Sequence, residues 1–470
     1  MAPRGGHTES RQGNPIPASI FRAYDIRGIV EEQLTEDSVR QISRGIGSEA
    51  LAYGIDTLLV GFDGRLSSPS LSRALTAGLL STGCKVVNLG MVPTPLLYYA
   101  SHTSGIESGV MLTASHNPAN YNGLKVVFKQ ACLAPKQIQK IRRRVEQGQL
   151  TDGAGSYSEL SIQPRYIEEI CSSVSLGRKL KLVVDCGNAV PGLVAPELFR
   201  ALSCEVEPLF CDIDGNFPNH HPDPTEADNL ASLSARVVAS QADLGIAFDG
   251  DGDRLGIVTN LGEAVDADKI LMLLVKHIAP KYPAAPIIYD VKCSSNLARV
   301  ITAMGAIPVM HRSGHSFMKQ KMQETGAPLG GEFSAHIFIK DRWFGFDDGL
   351  YAAARVLEIL SHLQHSAHEE FASFPSSLNT PEIKLPVPEA AKFELMQRII
   401  DKAKFPGAKV VLLDGLRVEY SDGWGLVRAS NTSAALLLRF EADTLLRLRA
   451  IQASFKALIH SADKGLELNF

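Results

Sequence analysis

Three carboxylates in one short loop could do chemistry together. Asp249, Asp251 and Asp253 alternate with glycines after an apolar run, so all three side chains can turn inward on a tight loop. Hard oxygen ligands at this density suit Mg²⁺. A calcium hand would need Gly at its sixth position and Glu at its twelfth, where this chain has Arg254 and Asn260. The simplest alternative is a solvated acidic turn, but a buried strand that runs into three acids is costly without a cation.

A hydroxyl nucleophile is the second candidate. The apolar run 109–112 predicts a buried strand, and the Thr-Ala-Ser-His-Asn-Pro sequence that follows forces a loop. Ser115 is therefore presented at a strand end beside the imidazole of His116, with the amine of Lys125 further along. Taken alone, a Ser-His dipeptide more often belongs to a turn that merely ends a strand. The functional interpretation depends on the partner loops elsewhere in the chain.

Residues 428–433 have the composition of a phosphate cradle. Arg428, Ser430, Asn431 and Thr432 combine a planar fork of donors with hydroxyls and backbone N–H groups. By itself, such a loop is more often a turn. Beside a serine loop and a magnesium loop, phosphate handling becomes a coherent hypothesis.

Further polar side chains follow other predicted strands. Glu332 and Ser334 can exchange hydrogen bonds with a polyol, although Glu332 could equally be a surface acid. Lys292 and His315 add cationic or donor groups at strand ends, and each has a structural role as its alternative. Residues 21–28 mix aromatics with two arginines, for which a strand end with solvated arginines is the competing interpretation.

The loops share one topological position. A short β-rich run that ends at a loop containing Asp occurs three times, at 58–65, 182–188 and 287–292. A second strand candidate follows each run at a spacing that suits a crossover helix between parallel strands. A third strand then ends at a polar loop, at 113–116, 249–254 and 330–336. Because open α/β sheets bind ligands beyond the carboxyl ends of their strands, the three loops should converge on one cleft.

The same pattern divides the chain into domains. We predict α/β domains at residues 16–161, 162–263 and 264–375, with a helix from 348 to 365 packed on the third. After residue 375 a strand, a helix, a hairpin, another strand and a last helix predict an α+β domain at 376–470. Residues 1–15 are polar and are expected to form a disordered leader. The predicted fold class is α/β: three similar domains with mixed sheets and a C-terminal α+β domain, arranged around a central cleft.

Composition excludes several classes of function. A net charge of −4 over 470 residues gives no sign of a general polyanion binder, so we expect no nucleic-acid partner and only local phosphate recognition. The apolar runs are too short to span a membrane. The 7 cysteines are scattered singly, which disfavours a zinc site and a disulfide framework and favours a reducing cytoplasm.

Four signatures occur together and in one order. They are the segments 113–118, 249–254, 331–336 and 428–432. In this combination the chain resembles the α-D-phosphohexomutase superfamily from about Pro17 onward. Within it, the chain is most similar to the bacterial bifunctional phosphomannomutases/phosphoglucomutases, judged from segments 21–28, 216–224 and 342–349.

The resemblance implies an isomerase that interconverts hexose 1- and 6-phosphates of mannose and glucose. Phosphorylated Ser115 would give its phosphoryl group to the sugar, forming a hexose 1,6-bisphosphate that turns around and returns the other phosphate. Lys125 or His336 would take the hydroxyl proton. The implied metal set, for one Mg²⁺, is Ser115, Asp249, Asp251 and Asp253. The implied catalytic set is Ser115, His116, Lys125, Arg27, Arg254 and His336. The implied substrate-binding set is Tyr24, Lys292, Ser313, Gly314, His315, Glu332, Ser334, Arg428, Ser430, Asn431 and Thr432.

Two residues depart from the pattern of the superfamily. Phe333 and Ala335 stand where Met and Gly are usual, and the methyl of Ala335 restricts the backbone, so sugar preference and rate are open. A phosphoglucosamine mutase would usually have Gln at position 333. A non-catalytic sugar-phosphate-binding relative and a phosphatase are further alternatives. We expect a monomer whose partners are small sugar phosphates.

Overall fold

The computed structural model describes residues 16–430, 433–468 and 470. The predicted leader at 1–15 and the predicted phosphate ligands Asn431 and Thr432 lie outside the described residues. The predicted fold class is confirmed: three α/β domains, each with a mixed sheet, precede an α+β domain with an antiparallel sheet. In the described part of the chain, no helix is long and apolar enough to cross a membrane.

The first sheet mixes parallel and antiparallel pairs. Its strands are β1 (Ile26–Ile29), β2 (Thr57–Phe62), β3 (Lys85–Met91), β4 (Gly109–Leu112), β5 (Tyr121–Phe128), β6 (Ala131–Cys132) and β7 (Tyr157–Glu159). The helices are α1 (Glu36–Ala52), α2 (Ser68–Leu80), α3 (Thr94–Thr103) and α4 (Pro135–Glu146). The strand order is β1-β5-β4-β2-β3-β7, with β6 paired to β5. Strand β2 is parallel to β3 and β4, as the spacing predicted, whereas β5 is antiparallel to β4.

The second sheet repeats the parallel core of the first. Its elements are α5 (Gln163–Ser173), β8 (Lys181–Asp185), α6 (Ala195–Ala201), β9 (Glu205–Leu209), α7 (Ala231–Ser240), β10 (Leu244–Phe248), β11 (Leu255–Thr259) and β12 (Ala264–Val265). Strand β8 lies between β9 and β10, parallel to both, and the hairpin β10–β11 carries the acidic loop.

The third sheet has the same arrangement. Its elements are α8 (Ala267–Ile278), β13 (Pro286–Asp290), α9 (Ser295–Ala303), β14 (Ile307–His311), α10 (His315–Thr325), β15 (Leu329–Gly331), β16 (Ile337–Ile339), α11 (Gly349–Ser361) and α12 (Ala367–Ala372). Strand β13 is parallel to β14 and β15, and residues 332–336 connect β15 to the antiparallel β16. Asp348 caps α11 by accepting from Tyr351 N at 2.9 Å.

The C-terminal sheet is antiparallel throughout. Its elements are β17 (Leu378–Asn379), β18 (Ile383–Pro386), α13 (Lys392–Lys402), β19 (Lys409–Val411), β20 (Leu416–Tyr420), β21 (Gly423–Ala429), β22 (Ala435–Ala442) and α14 (Leu445–Ala462). The predicted hairpin is the β19–β20 pair. The sequence pattern did not reveal β21, whose carboxyl end carries Arg428.

One hydrophobic core extends through the first three domains and holds their loops in fixed relative positions, and the first domain has a further core of its own. Trp343 stacks on Tyr351 with ring centroids 4.3 Å apart and on Tyr99 of the first domain at 5.6 Å. Tyr166 of α5 donates its hydroxyl to both oxygens of Asp348 at 2.8 and 2.9 Å. The C-terminal domain has a separate core built from its own sheet and helices.

Candidate active site

Ser115 occupies a strained position at the carboxyl end of β4. Its φ of 49° lies in the left-handed region, which a residue with a Cβ adopts only when its surroundings enforce it. Arg65, which is 1% exposed, holds the loop in this conformation. One Nη donates to the carbonyl oxygens of Ser115 and Asn117 at 2.7 and 2.6 Å, and the other to those of Pro118 and Tyr121 at 2.6 and 3.1 Å.

Arg27 supports the same loop from β1. Its guanidinium donates to the side chain of Asn117 at 2.7 Å and to the carbonyl oxygen of Ala114 at 3.3 Å, and it pairs with Asp25 at 2.6 Å. In this structure Arg27 therefore holds the serine loop, and its carboxylate partner fixes its position.

The acidic loop approaches the serine loop closely, and its two glycines allow this for different reasons. A Cβ on Gly250 would lie 2.2 Å from the carbonyl oxygen of Ser115, so the approach requires glycine. Gly252 has a φ of 79°, the unusual backbone angle that the sequence predicted. As a result, Ser115 Oγ donates to Asp249 Oδ2 at 2.6 Å.

The acidic triad has the properties of a cation site. Ligand atoms of Asp249, Asp251 and Asp253 all lie within 4.8 Å of one another, and all three residues are fully buried. Among the described residues, Asp251 Oδ1 and Asp253 Oδ1 have no hydrogen-bond donor. Burial and the charges of Asp253 and Asp251 raise the pKa of Asp249 well above its usual range. Buried, unpaired carboxylate oxygens at this density fit Mg²⁺.

Lys125 neutralises part of this charge from β5. Its Nζ donates to Asp251 Oδ2 and Asp253 Oδ2, both at 2.6 Å. Burial alone would lower the pKa of Lys125, but these two carboxylates outweigh it and raise that pKa above its usual value. Lys125 is therefore held as an ammonium with two of its three donors committed to carboxylates.

His336 and Arg254 meet beside the triad. Arg254 Nε donates to His336 Nε2 at 3.1 Å and lies 3.8 Å from Asp249 Oδ2. The contact joins two domains, because Leu255 N also donates to the carbonyl oxygen of Ala335 at 3.2 Å. His336 Nδ1 faces Asp347 Oδ2 at 3.3 Å and Asp253 Oδ1 at 3.5 Å.

His116 lies next to the serine hydroxyl. Its Nδ1 is 3.3 Å from Ser115 Oγ. Burial, and then the charge of Arg254, lower the pKa of His116 well below the usual value. The imidazole is thus neutral at neutral pH.

The loop at 332–336 is organised by buried hydrogen bonds. Glu332 Oε1 accepts from Gly314 N at 2.6 Å, and burial raises the pKa of this carboxyl. Asp290 accepts from Phe333 N at 3.1 Å and from the hydroxyl of Ser313. Ser334 is half-buried and makes no hydrogen bond within the described residues.

The guanidinium of Arg428 faces this loop from the C-terminal domain. Its Nε donates to Asp414 Oδ2 at 2.8 Å, and the same oxygen accepts from Ser313 N at 3.1 Å. Its Nη2 is buried, and no acceptor for it exists in the described part of the chain. A buried donor of this kind suits an anion. Ser430 Oγ accepts from Ser433 N at 3.1 Å, which closes the loop.

Tyr24 and Lys292 complete the lining. The Tyr24 ring lies 5.0 Å from that of His315 at 88°, and burial, then Asp25, raises the pKa of Tyr24 to about 12. The His315 ring stacks at 5.7 Å on that of His336. Lys292 Nζ pairs with Glu382 at 3.2 Å rather than with another predicted residue.

Several residues that organise the site were missed from the sequence. They are Arg65, Thr94, Asp290, Asp347 and Asp414. Thr94, at the start of α3, donates its hydroxyl to Asp251 Oδ2 and its backbone N–H to the carbonyl oxygen of Asp251 at 2.9 Å. Arg65 had one available signal, since it follows a strand that ends in Asp63-Gly64. Asp290 had the same signal, as the Asp at the end of the third repeated β-rich run. Thr94, Asp347 and Asp414 contact residues at distant sequence positions and had no local signal.

Three repeated α/β domains and an α+β domain, with a serine, an acidic triad and a buried arginine donor on their loops, define a phosphohexomutase. The chain belongs to the phosphoglucomutase/phosphomannomutase family of the α-D-phosphohexomutase superfamily. Profiles of the family's α/β/α domains I, II and III match residues 18–152, 164–262 and 266–377, and that of its C-terminal domain matches 382–458.

Individual relatives agree with this assignment. The phosphomannomutase/phosphoglucomutase of Pseudomonas aeruginosa is 51% identical over 455 residues, which are 97% of this chain and 98% of that protein. A phosphoglucomutase of Neisseria gonorrhoeae is 45% identical over 450 residues, which are 95% and 98% of the two chains. The crystal structure of a phosphoglucomutase/phosphomannomutase family protein from Burkholderia thailandensis superposes with a TM-score of 0.92 at 46% identity and covers 97% of this chain and 100% of that one.

Proposed function

We propose that this chain interconverts hexose 1-phosphates and hexose 6-phosphates of mannose and glucose through a phosphoserine at position 115. One observation carries the proposal: the strained Ser115 hydroxyl lies 2.6 Å from Asp249 in a buried acidic triad. Arg428 offers a buried, unpaired donor from the C-terminal domain for a second phosphate. The similarity to enzymes named for both sugars supports the choice of substrates.

In the first half-reaction, a hydroxyl of the bound sugar phosphate attacks the phosphoryl group on Ser115. The bond from phosphorus to Ser115 Oγ breaks, and the bond to the sugar oxygen forms. Arg254 and Lys125 lie close enough to the triad to stabilise the negative charge of the transferring group. The product of this step is a hexose 1,6-bisphosphate.

The sugar hydroxyl must lose its proton as it attacks, and the geometry favours His336 as the acceptor. Lys125 has two of its three donors committed to carboxylates, which raise its pKa, so it holds its proton. His336 has a lone pair on Nε2, which accepts a hydrogen bond from Arg254 Nε in this structure. Arg254 can move to the substrate phosphate and leave that lone pair to the hydroxyl.

The second half-reaction needs the bisphosphate to turn around, so that its other phosphate returns to Ser115. The cradle at Arg428 then holds the phosphate just formed. Asp414 and Ser313 join this cradle to the sugar loop, with Glu332 and Ser334 available for sugar hydroxyls. We infer that hexose 1,6-bisphosphate is both the intermediate and an activator that phosphorylates Ser115.

Mg²⁺ fits the triad, and Asp249, Asp251, Asp253 and the oxygen on Ser115 would hold it. When bound, it would supply positive charge next to the transferring phosphoryl group. A thermal-shift titration with Mg²⁺ tests the site: wild type should gain about 2.7 kcal/mol at a hundredfold excess over Kd. Asp251→Asn should lose most of this gain, and an equal gain in both proteins would contradict the assignment.

A coupled assay tests the function directly. The substrates are glucose 1-phosphate, mannose 1-phosphate and glucosamine 1-phosphate, each with Mg²⁺ and a trace of the matching bisphosphate. We expect turnover of the first two. Turnover of glucosamine 1-phosphate alone would indicate the aminosugar mutase, release of inorganic phosphate a phosphatase, and no turnover a binding relative. We also propose that the chain acts as a monomer in the cytoplasm, with sugar phosphates as its only partners.

A further inference from the structure

Asp347 is a buried carboxylate next to the reaction centre that the mechanism above does not use. It lies between β16 and α11 and is 0% exposed. Its Oδ1 accepts from Lys319 Nζ at 2.7 Å. Its Oδ2 lies 3.4 Å from His315 Nδ1 and 3.3 Å from His336 Nδ1. A single carboxylate thus faces the same nitrogen of two stacked imidazoles.

The contacts of His336 determine which of its nitrogens carries the proton. Arg254 Nε can only donate, so Nε2 of His336 must be the acceptor. In the neutral ring the proton is therefore on Nδ1. Two carboxylate oxygens lie within 3.5 Å of Nδ1, Asp347 Oδ2 and Asp253 Oδ1, and neither of them makes a hydrogen bond within the described residues.

The two acceptors are not equivalent. Asp253 already pairs with Lys125 at 2.6 Å and belongs to the cation site, so its charge is shared. Asp347 is outside the aspartate triad assigned to Mg²⁺, although its ligand atom lies within 4.8 Å of those of Asp253 and His336. The ammonium of Lys319 and the two imidazoles surround it. His336 Nδ1 and Asp347 Oδ2 are 3.3 Å apart and make no hydrogen bond within the described residues, and catalytic hydrogen bonds often align only when substrate closes a site. Of the two carboxylates that face His336 Nδ1, Asp347 is therefore the one that is free to orient the imidazole.

We propose that Asp347 is a positioning residue that holds His336 with its proton on Nδ1 and its Nε2 lone pair directed at the sugar hydroxyl. The inference rests on the proposed function and specifies how its general base, His336, is held in the required tautomer. When Nε2 takes the hydroxyl proton, the imidazolium keeps its Nδ1 proton, and Asp347 stabilises the new charge without taking that proton. In the second half-reaction the bond from phosphorus to the sugar oxygen breaks as the bond to Ser115 Oγ forms, and Nε2 returns the proton to that sugar oxygen.

Asp347→Asn tests the role because the amide keeps the volume of the side chain. Its NH₂ group favours the opposite tautomer, in which Nδ1 accepts and Nε2 carries the proton. We expect kcat for glucose 1-phosphate to fall about 10²- to 10⁴-fold, with KM changed less than about threefold, the scale seen when a comparable carboxylate-histidine pair is altered. Asp347→Glu should restore part of the loss.

The neighbouring carboxylate provides a matched control. Asp348 is also buried, but it faces Tyr166 and Trp343 instead of the cleft. Asp348→Asn should lower stability and keep kcat within about threefold of wild type, the ordinary outcome for a structural site. Loss of turnover in Asp348→Asn equal to that in Asp347→Asn would assign both effects to the fold and overturn the proposal.

Two further measurements separate a positioning role from a structural one. Nitrogen-15 NMR of histidine-labelled wild type should show His336 protonated on Nδ1. Protonation on Nε2 overturns the proposal even if every variant at position 347 fails to fold. In addition, His336→Gln and the double variant with Asp347→Asn should have the same kcat, because the proposed effect of the carboxylate on turnover passes through the His336 imidazole.

Failure of the inference can be distinguished from failure of the proposed function. If wild type does not turn over any hexose phosphate, the function is wrong. If wild type is active and Asp347→Asn is within about threefold of it, the function stands and the role of Asp347 is refuted.

Discussion

Two residues of the site have backbone conformations that side chains disfavour, and both carry or adjoin chemistry. Ser115 has a φ of 49° and Ala335 a φ of 68°. Strain of this kind, about 1 to 2 kcal/mol for a residue with a Cβ, persists only where the surroundings enforce it. At Ser115 the hydrogen bonds from Arg65 enforce the conformation. At Ala335 a glycine would adopt the same backbone angle without strain.

Ala335→Gly should therefore stabilise the protein. The removal of strain outweighs the entropy that glycine loses on folding, and we expect a net gain of roughly 0.5 to 1 kcal/mol. The denaturant midpoint measures this gain, and the mannose to glucose ratio of kcat/KM shows in the same protein whether sugar preference moves. A lower midpoint would contradict the strain argument.

Ser115→Ala should lose at least about 10²-fold in kcat, because the neighbouring hydroxyls of Thr113 and Thr94 are bound to Asp63 and Asp251 and cannot replace it. Phosphate content after incubation with bisphosphate, measured by intact mass, should fall to zero. Near-normal turnover would refute the assigned role of this serine.

The serine loop depends on a clamp between β2 and β5 that a single arginine supplies. Arg65 donates to four carbonyl oxygens of residues 115–121 and pairs with Asp63 at 3.1 Å. Asp63 in turn accepts from Thr113 at 2.7 Å, so the ends of β2 and β4 are joined. The strained conformation of Ser115 is thus enforced by Asp63 and Arg65, the residues that follow β2.

Arg65→Lys should disable the clamp, because one ammonium cannot serve the fork of acceptors. Each buried carbonyl left unpaired costs about 1 to 3 kcal/mol, and we expect kcat to fall at least tenfold. Arg44→Lys is the control, since Arg44 makes an exposed pair with Asp152 and should change stability by less than about 0.5 kcal/mol. Turnover kinetics and thermal unfolding of both variants measure the difference.

The C-terminal domain is attached to the third domain through charged groups next to the sugar loop. Arg439 places its guanidinium 3.5 Å from the centre of the Phe333 ring and donates to the carbonyl oxygen of Lys292. Arg417 donates to the carbonyl oxygens of Val291 and Cys293 at 2.6 and 3.0 Å. Phe333, which departs from the usual pattern, is thus part of a contact between domains.

Phe333→Leu should weaken this attachment by about 0.5 to 2 kcal/mol, the range for a cation–π contact. Calorimetry should then show the C-terminal domain unfolding earlier. Phe393→Leu is the control: that ring, on α13, is 62% exposed, and the Nζ of the buried Lys392 lies 5.1 Å from its centre. A changed sugar preference with unchanged domain stability would show that Phe333 acts on substrate instead.

Local patterns in the sequence were sufficient for the repeated strands, the fold class and the loops that carry Ser115, the acidic triad, Glu332 and Arg428. Apolar runs that end in turns reveal strands, and alternating charge and glycine reveals the acidic loop, because each depends on neighbours along the chain. The domain boundaries and the roles of the site residues stay predictions.

The contacts that give these loops their chemistry required the tertiary structure. Lys125 reaches Asp251 and Asp253 across domains, Gly250 is needed for the approach to Ser115, and Asp347 faces His315 and His336. Such partners can lie more than a hundred residues apart in the sequence. Taken locally, Lys125 looks like an ordinary strand lysine, Gly250 like a loop glycine and Asp347 like a surface acid. Only packing between domains decides which buried charges meet, because the cost of burying a charge is offset by its partner in space and not by its neighbour in sequence.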